Sequence, residues 1–381
     1  MILRALKYTR YTKDAREWSI VGNGDDFAYF GNINLLVGKN ASGKSRTLNV
    51  VREIAGLLSG KISLSKANTA TQRFELIFEG DKKEYNYFLD FKDRIVVSEI
   101  LLVDGKEYMN RAKGLFIELA ESKNVSISVD DTHLAITATD VNGNNYYKPF
   151  VQWGKSLKNY FFSNQIEKAH LVKDYRVIEE KDQDVEDTSI LVYTLYMGKK
   201  TFGDKFISEV KSCMYELGYS QISDIDIQEA KGGYGICVEE DGRYIVSQRD
   251  MSQGMFRALA LFIFLTYAHM SNMSVCILVD DMGEGLDFER SKGLIDIVTN
   301  KIHNSNIQYF MTTNDRHIMN HIPLRFWSVI EREKNKSIFY DIVNSTEKFD
   351  DFKYTGLNNF DFLTTDFYKK GFGNIEEEEN G

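Results

Sequence analysis

The feature that most constrains this 381-residue sequence is the segment 38–45, GKNASGKS, which matches the pattern GxxxxGK[ST]. Glycines in such a turn let the backbone curl so that several N–H groups point at one anion. An apolar run, 30–37, precedes the segment, and residues 43–60 carry apolar side chains at helical spacing. A helix there adds the positive end of its dipole to the same anion. The sequence therefore predicts a strand, a phosphate-binding loop and a helix, the core of an α/β P-loop NTPase.

The side chains of this loop have distinct expected roles. The Lys44 ammonium can reach the β- and γ-phosphates and offset charge that develops during hydrolysis, and the Ser45 hydroxyl can ligate Mg²⁺. ATP and Mg²⁺ are thus the expected cofactors. The predicted nucleotide-binding residues of the loop are Gly38, Asn40, Ala41, Ser42, Gly43, Lys44 and Ser45.

A second motif is the segment 276–281, CILVDD, in which an apolar run is followed by two aspartates. This pattern predicts a buried strand that ends in two acids. A carboxylate at that position can hold Mg²⁺ opposite the serine of a P-loop. We therefore predict Asp280 as a metal ligand together with Ser45. Asp281, one position later, is the candidate to orient or deprotonate an attacking water.

A third motif, MSQGMFR at 251–257, opens a long apolar helix between the first two motifs. With this order of motifs the chain resembles the ABC-type ATPases. It resembles most their soluble branch, the SMC, RecF and OLD-like heads, including those of bacterial anti-phage systems. The segments that carry the resemblance are NINLLVGKNASGKS, VVSEILL, the MSQGMFR signature, DDMGEGLD and FMTTNDRHIMN.

The resemblance implies several further assignments. A signature of this kind binds the γ-phosphate held by the opposite subunit, which assigns nucleotide contacts to Ser252, Gln253 and Gly254. Asp287 falls where the family has its D-loop aspartate, and Asn314 falls in the switch region as a catalytic residue. The resemblance also implies an ABC-ATPase head with an antiparallel β meander and a helical lobe. ATP would join two chains, so a homodimer or higher homo-oligomer is expected, with slow or regulated hydrolysis to ADP and phosphate.

The sequence departs from the family pattern at two of these positions. The family usually has glutamate where this chain has Asp281, and aspartate is one methylene shorter. The switch residue, often histidine, is Asn314, which can form hydrogen bonds but cannot carry a proton at neutral pH. A binding module that does not hydrolyse ATP is therefore one alternative function.

The expected domain organisation follows from the positions of the motifs. Residues 1–345 are predicted to form the ATPase head, with a P-loop lobe (1–104), an insertion with helical character (105–245) and a lobe carrying the signature and the acidic strand (246–345). Within the first lobe, alternation over 73–103 predicts an antiparallel meander. Residues 346–381 are predicted to be a tail with a disordered acidic end, too short for a nuclease domain.

Composition limits the partners. With a formal charge of −9, the protein surface as a whole does not attract the phosphate backbone of nucleic acid. Nucleic acid would therefore have to bind at a local basic patch or through a second protein. Three widely spaced cysteines fit a reducing cytosol. No apolar run is long enough to span a bilayer, and no secretory signal precedes the first strand, so we expect a cytoplasmic protein without a membrane partner.

These expectations favour one function and leave others open. The favoured function is an ATP-gated sensor or scaffold subunit of an anti-phage defence complex, with a separate effector such as a nuclease or toxin. The main alternative is a RecF/SMC-like DNA-repair ATPase that acts directly on DNA. A transporter's nucleotide-binding subunit fits less well, because the insertion between Ser45 and Ser252 is long for that class.

Overall fold

The computed structural model describes residues 1–64, 70–161, 168, 171–173, 190–230, 232–303 and 305–373. The chain divides into two compact units, one made of Met1–Leu157 and Ile322–Gly381, the other of Lys158–His321. Strands and helices are numbered here along the whole chain. The acidic end at 376–379 lies outside the described residues.

The first unit is built on a mixed sheet. Its strands are β1 (Ile2–Arg10), β2 (Trp18–Gly22), β3 (Ala28–Tyr29), β4 (Ile33–Val37), β5 (Gln72–Gly80), β6 (Lys83–Lys92), β7 (Ile95–Val103), β8 (Lys106–Asn110), β9 (Leu115–Phe116), β16 (Trp327–Glu333) and β17 (Lys336–Asp341). The sheet order is β4-β16-β17-β2-β1-β5-β6-β7-β8-β9, with β3 paired to β1. The pairs β4/β16 and β17/β2 are parallel. Strands β5, β6 and β7 pair consecutively and antiparallel, which confirms the predicted meander.

The helices of the first unit cover this sheet. They are α1 (Lys44–Leu58), α2 (Lys148–Ser156), α8 (Thr346–Asp351), α9 (Asn359–Thr364) and α10 (Phe367–Lys370). The apolar face predicted for α1 is buried, because Leu48, Val51 and Ile54 are fully enclosed. Helix α2 contacts α1 closely at Gly154, where a Cβ would lie 2.5 Å from the Ala55 carbonyl oxygen. Any side chain at that position would force the two helices apart.

The segment after residue 345 contains structure that the sequence patterns did not predict. Phe349, Phe352, Phe362 and Phe367 of α8–α10 and their connections are all buried. Their rings contact one another at centroid distances of 4.7 to 6.1 Å, mostly edge to face. Aromatic pairs at such distances stabilise a small core beyond the area they bury. Up to residue 373, the predicted tail is therefore a packed part of the first unit.

Asp341, at the end of β17, ties two parts of this sheet together. Its carboxylate accepts hydrogen bonds from the backbone N–H groups of Tyr29 (3.0 Å), Val343 (2.9 Å) and Asn344 (3.0 Å). The Asn344 side-chain amide donates a fourth, at 2.8 Å. The residue is only 3% exposed, and this burial raises the pKa of Asp341 to about 6.

This raised pKa gives a stability prediction. Between about pH 4 and pH 6 the folded chain holds a proton at Asp341 that the unfolded chain has released, so the contribution to the free energy of unfolding falls as pH rises. In Asp341→Asn this titrating group is absent. We therefore expect the free energy of unfolding of the wild type, relative to that of Asp341→Asn, to fall by about 2–3 kcal/mol from pH 4 to pH 7. Calorimetric unfolding of both proteins across this range measures it. A difference that stays constant, or grows with pH, would contradict the prediction.

The second unit carries a parallel sheet, a small antiparallel sheet and a helical layer. Its elements are α3 (Ile190–Phe202), α4 (Asp204–Glu216), α5 (Gln253–Met270), α6 (Phe288–Ile302), α7 (Arg316–His321), β10 (Lys158–Phe161), β11 (Ile222–Ala230), β12 (Gly233–Glu240), β13 (Tyr244–Ser247), β14 (Val275–Asp280) and β15 (Ile307–Thr312). Strands β10, β14 and β15 pair in parallel, and β11, β12 and β13 pair antiparallel. Helix α5 is apolar around most of its circumference, and this allows α3, α4 and α6 to pack against it. The predicted α/β class with a meander and helices is confirmed.

Candidate functional site

The P-loop of the first unit has the strand–loop–helix order that its motif predicts. Strand β4 is buried at every residue, and helix α1 begins at Lys44, so the last two residues of the motif form its first turn. Within the loop the backbone is left-handed at Ala41 (φ +62°) and Gly43 (φ +118°). A Cβ at Gly43 would also lie 2.5 Å from Ser337 Oγ, so both conformation and space demand glycine. Asn40, Ala41 and Ser45 are exposed and accessible to a ligand.

Lys44 points back into the curl of this loop. Its Nζ donates hydrogen bonds to the carbonyl oxygens of Gly38 (2.8 Å) and Lys39 (3.4 Å), and the residue is only 8% exposed. A buried ammonium at this point attracts an anion strongly, because water screens it little. The loop thus places one positive charge where the motif predicts phosphate oxygens.

Ser42 supplies a test of whether the loop fits a ligand. Its hydroxyl is buried and, among the described residues, has no hydrogen-bond partner. Buried polar groups are nearly always hydrogen-bonded in native proteins, so an unpaired hydroxyl in this loop fits an external acceptor such as a phosphate oxygen. A Cβ at Gly38 would lie 2.6 Å from the same Ser42 Oγ, so the space beside the hydroxyl depends on glycine.

Residues distant in sequence support the backbone of the loop through hydrogen bonds. Ser337 Oγ, on β17, donates to the Ser42 carbonyl oxygen at 2.9 Å and accepts from Trp18 Nε1 at 3.2 Å. The guanidinium of Arg46, on α1, lies 4.5 Å above the Trp18 ring. Sequence reasoning missed Trp18 and Ser337, because neither belongs to a local motif and only strand pairing brings them to the loop.

The acidic strand end of the second unit is organised by Thr312, at the end of β15. Its hydroxyl donates to Asp280 Oδ1 at 2.5 Å and accepts from the Asp281 backbone N–H at 2.9 Å. The Asn314 side-chain amide lies 3.5 Å from Asp281 Oδ1. The structure therefore brings the predicted residues Asp280, Asp281 and Asn314 together. Thr312, which sequence reasoning placed in the switch motif without a role, is the residue that joins them.

Asp281 has an unusual backbone that bears on its identity. Its φ is +53°, in the left-handed region. Aspartate and asparagine tolerate this conformation better than longer side chains do, because their short polar groups can hydrogen-bond locally. The left-handed backbone is thus a physical reason why this position has aspartate, whereas the ABC-type ATPases that the sequence resembles usually have glutamate.

The signature and the D-loop segment of the second unit touch each other. Ser252 caps helix α5, and its Oγ accepts from the Met255 backbone N–H at 3.2 Å. Gly254 packs against the D-loop backbone, because a Cβ there would lie 2.3 Å from the Gly285 carbonyl oxygen. Asp287 caps helix α6 and accepts from the Arg290 backbone N–H at 2.9 Å. Ser252, Gln253 and Asp287 are nevertheless exposed.

The donor set for a metal ion is small. Within the described ranges, no group of three or more His, Cys, Asp or Glu side chains is arranged to hold a metal. Mg²⁺ in phosphate-binding sites is held by one or two protein ligands plus substrate phosphates and waters. The Ser45 hydroxyl and the Asp280 carboxylate are each oxygen ligands of the kind that Mg²⁺ accepts, and their binding of one ion stays a prediction from the sequence.

A comparison with protein families assigns the chain. Residues 33–320, well over half of the sequence, match the family described as "AAA domain, putative AbiEii toxin, Type IV TA system". The chain belongs to this AAA-domain family. The matched range begins at β4 and ends in α7, so it includes the P-loop, the signature, the acidic strand and the switch motif. No curated protein matches the chain.

Solved structures similar to this AAA-domain protein show its fold. One is an SMC head bound to the C-terminal winged-helix domain of ScpA, with 13% identity, a TM-score of 0.54, and coverage of 89% of this chain and 97% of that one. Another is an Smc head with an extended coiled coil, bound to the C-terminal domain of ScpA derived from Pyrococcus furiosus. Its identity is 12% and its TM-score 0.50, with coverage of 92% and 99%. The AAA-domain protein therefore has the fold of an AAA/ABC-like P-loop ATPase. No helix among its described residues is long and apolar enough to cross a membrane.

Proposed function

We propose that this chain hydrolyses ATP as an ABC-type ATPase that dimerises around the nucleotide. The proposal rests on one observation: polar side chains of the signature and the D-loop are exposed, while the backbone segments that carry them are held in place. Ser252 and Asp287 are exposed helix caps, yet the Gly254–Gly285 contact holds their two segments together. Exposed polar groups that are held in place in this way are suited to bind a ligand presented by another molecule.

In the proposed reaction each residue has a definite task. Lys44 stabilises negative charge on the γ-phosphate from within the loop. Mg²⁺, when bound by Ser45 and Asp280, would neutralise charge on the β- and γ-oxygens. Asp281 orients a water and accepts its proton, while the amide of Asn314 holds the Asp281 carboxylate. The water oxygen bonds to the γ-phosphorus, the bond to the bridging oxygen breaks, and ADP and phosphate leave.

Light scattering tests the dimer directly. We expect the mass of the purified chain to rise from 43.9 kDa to about twice that value with saturating ATP and Mg²⁺, and to stay at the lower value with ADP. We expect this difference because ATP carries the γ-phosphate that the partner's signature binds, and ADP does not. A single mass of 43.9 kDa under both conditions would remove the proposal.

We further propose that this ATPase is the sensor or scaffold subunit of a bacterial anti-phage defence complex with a separate effector, such as a nuclease or toxin. The family description supports a defence-related role, since it names a toxin of a type IV TA system. Co-purification of the chain with the product of a neighbouring gene, dependent on ATP, would support this role.

A RecF/SMC-like ATPase acting directly on DNA is the second candidate, because the chain has the fold of SMC heads. It predicts that duplex DNA stimulates ATP hydrolysis, and that the stimulation falls steeply between 50 and 200 mM salt. The formal charge of −9 weighs against it. Hydrolysis that is indifferent to DNA at low salt would favour the defence role, and no hydrolysis at all would favour a pure binding module.

A further inference from the structure

Arg257, on helix α5, joins the signature helix to the D-loop, which here means residues 282–287. Its Nη1 donates to the backbone carbonyl oxygen of Glu284 at 3.0 Å and to Glu284 Oε2 at 2.8 Å. The Arg257 side chain is 13% exposed, and that of Glu284 is 57% exposed. Arg257 follows Gly254 by three residues, so both lie on the face of the helix that meets the D-loop. Sequence reasoning gave neither Arg257 nor Glu284 a role.

The contact falls on the part of the D-loop whose backbone has the most conformational freedom. Glu284 lies between Gly283 and Gly285, which are both left-handed, with φ of +86° and +84°. Glycine adopts either hand readily and loses more conformational entropy than other residues when it is fixed. The two ends of the segment have other supports, because the Met282 backbone N–H donates to the end of β15 at 2.8 Å and Asp287 caps α6. Arg257 therefore acts on the middle of the segment.

The two halves of this contact are unequal in strength. The bond to the carbonyl oxygen has a charged donor, and such hydrogen bonds are stronger than neutral ones. Arg257 is largely buried, so water screens this bond little. The Glu284 carboxylate is more than half exposed, and an ion pair to an exposed group contributes little. The backbone carbonyl is therefore the main point at which Arg257 holds the D-loop.

We propose that Arg257 is a positioning residue that holds the D-loop backbone against the signature helix through the Glu284 carbonyl. Ser252 and Asp287 are thereby kept in the arrangement that receives a partner's nucleotide. This consequence rests on the proposed ATP-dependent dimer, whereas the fastening of the D-loop is a property of the single chain. Arg257 itself has no contact with nucleotide in this proposal.

Hydrogen exchange without nucleotide tests the fastening in the single chain. The N–H groups of Glu284 and Leu286 form turn hydrogen bonds within this segment, at 3.1 and 3.0 Å, so their exchange requires local opening. In Arg257→Ala we expect the peptide that spans 281–287 to exchange at least about fivefold faster. The matched control is Arg243→Ala, an exposed arginine in the turn between β12 and β13, which should leave this exchange unchanged.

The second test compares dimer formation with nucleotide binding by the monomer. In saturating ATP and Mg²⁺ we expect Arg257→Ala to raise the dimer dissociation constant, measured by sedimentation, about 10-fold. The affinity of the dilute monomer for a fluorescent ATP analogue should change less than twofold. Glu284→Gln keeps the backbone carbonyl and removes only the exposed charge, so it should change the dissociation constant less than threefold.

A conservative variant keeps the test usable should Arg257→Ala fail to fold. Arg257→Lys retains the positive charge but replaces the planar, fork-shaped guanidinium with a compact ammonium on a flexible stem. We expect it to accelerate D-loop exchange and weaken the dimer by about 2–3-fold each. Wild-type values for both measurements in Arg257→Lys would show that charge alone suffices and would overturn the positioning role.

The outcomes separate this inference from the function on which it rests. A wild-type chain that stays monomeric with ATP removes the proposed function and, with it, the role of Arg257 toward a partner. A wild-type dimer combined with unchanged D-loop exchange in Arg257→Ala overturns the role of Arg257 alone. Equal losses from Glu284→Gln and Arg257→Ala would also overturn it, because the ion pair rather than the carbonyl contact would then carry the effect.

Discussion

Replacing Lys44 with alanine should weaken ATP binding by at least about 100-fold. Lys44 is 8% exposed, and its ammonium lies 2.8 Å from the Gly38 carbonyl oxygen, inside the loop. A hydrogen bond to a charged group contributes about 1.5–3 kcal/mol, and Lys44 is expected to form more than one with the β- and γ-phosphates. Isothermal titration with ATP and Mg²⁺ measures the loss.

Lys39 provides a matched control within the same loop. Its side chain is 80% exposed and its Nζ lies 3.7 Å from Asp366 Oδ1. An exposed ion pair of this kind contributes at most about 1 kcal/mol, so Lys39→Ala should change ATP affinity by less than about fivefold. Equal affinities for the Lys44→Ala and Lys39→Ala proteins would show that the buried ammonium does not bind phosphate.

Replacing Asp281 with asparagine should lower the rate of ATP hydrolysis by at least about 100-fold while ATP binding persists. General-base catalysis typically contributes 10²- to 10⁴-fold, and an amide cannot accept the proton of the attacking water. Asparagine tolerates the left-handed backbone at this position, where φ is +53°. The fold should therefore be unaffected, and the ATP-bound dimer should accumulate.

Phosphate release and light scattering together measure this effect. Asp296→Asn is the control, since Asp296 lies on α6 and pairs with His321 at 2.6 Å. It should hydrolyse ATP at the wild-type rate. If Asp281→Asn hydrolyses ATP normally, the proton acceptor is another group, and if it no longer binds ATP, Asp281 serves binding rather than turnover.

The sequence predicted those parts of the molecule whose signals are local. The P-loop depends on a short run of glycines between an apolar strand and an amphipathic helix, and all three lie within residues 30–60. The meander was visible from alternation within each strand. The order of the remaining motifs assigned Asp280, Asp281 and Asn314 to one catalytic site, and in the structure they lie near one another because parallel strands β14 and β15 end at the same edge.

What the sequence did not predict depends on contacts between distant segments or on backbone conformation. Ser337 reaches the P-loop only because β4, β16 and β17 are neighbours in the sheet. Phenylalanines after residue 345 lack a clear helical period and form a core only through their mutual contacts. The left-handed φ of Asp281 cannot be deduced from its neighbours in sequence, although it bears on the choice of side chain.

The brace beneath the P-loop also affects the order of events during synthesis. Strand β4 pairs with β16, and the Ser42 carbonyl accepts a hydrogen bond from Ser337, so the chain through β17 must leave the ribosome before the loop is complete. Contacts of such large sequence separation form slowly. A nascent chain that stops short of β17 carries the glycine-rich motif without its support. Nucleotide binding should therefore stabilise only chains that already include β17, and its supply during translation should raise the yield of correctly folded protein.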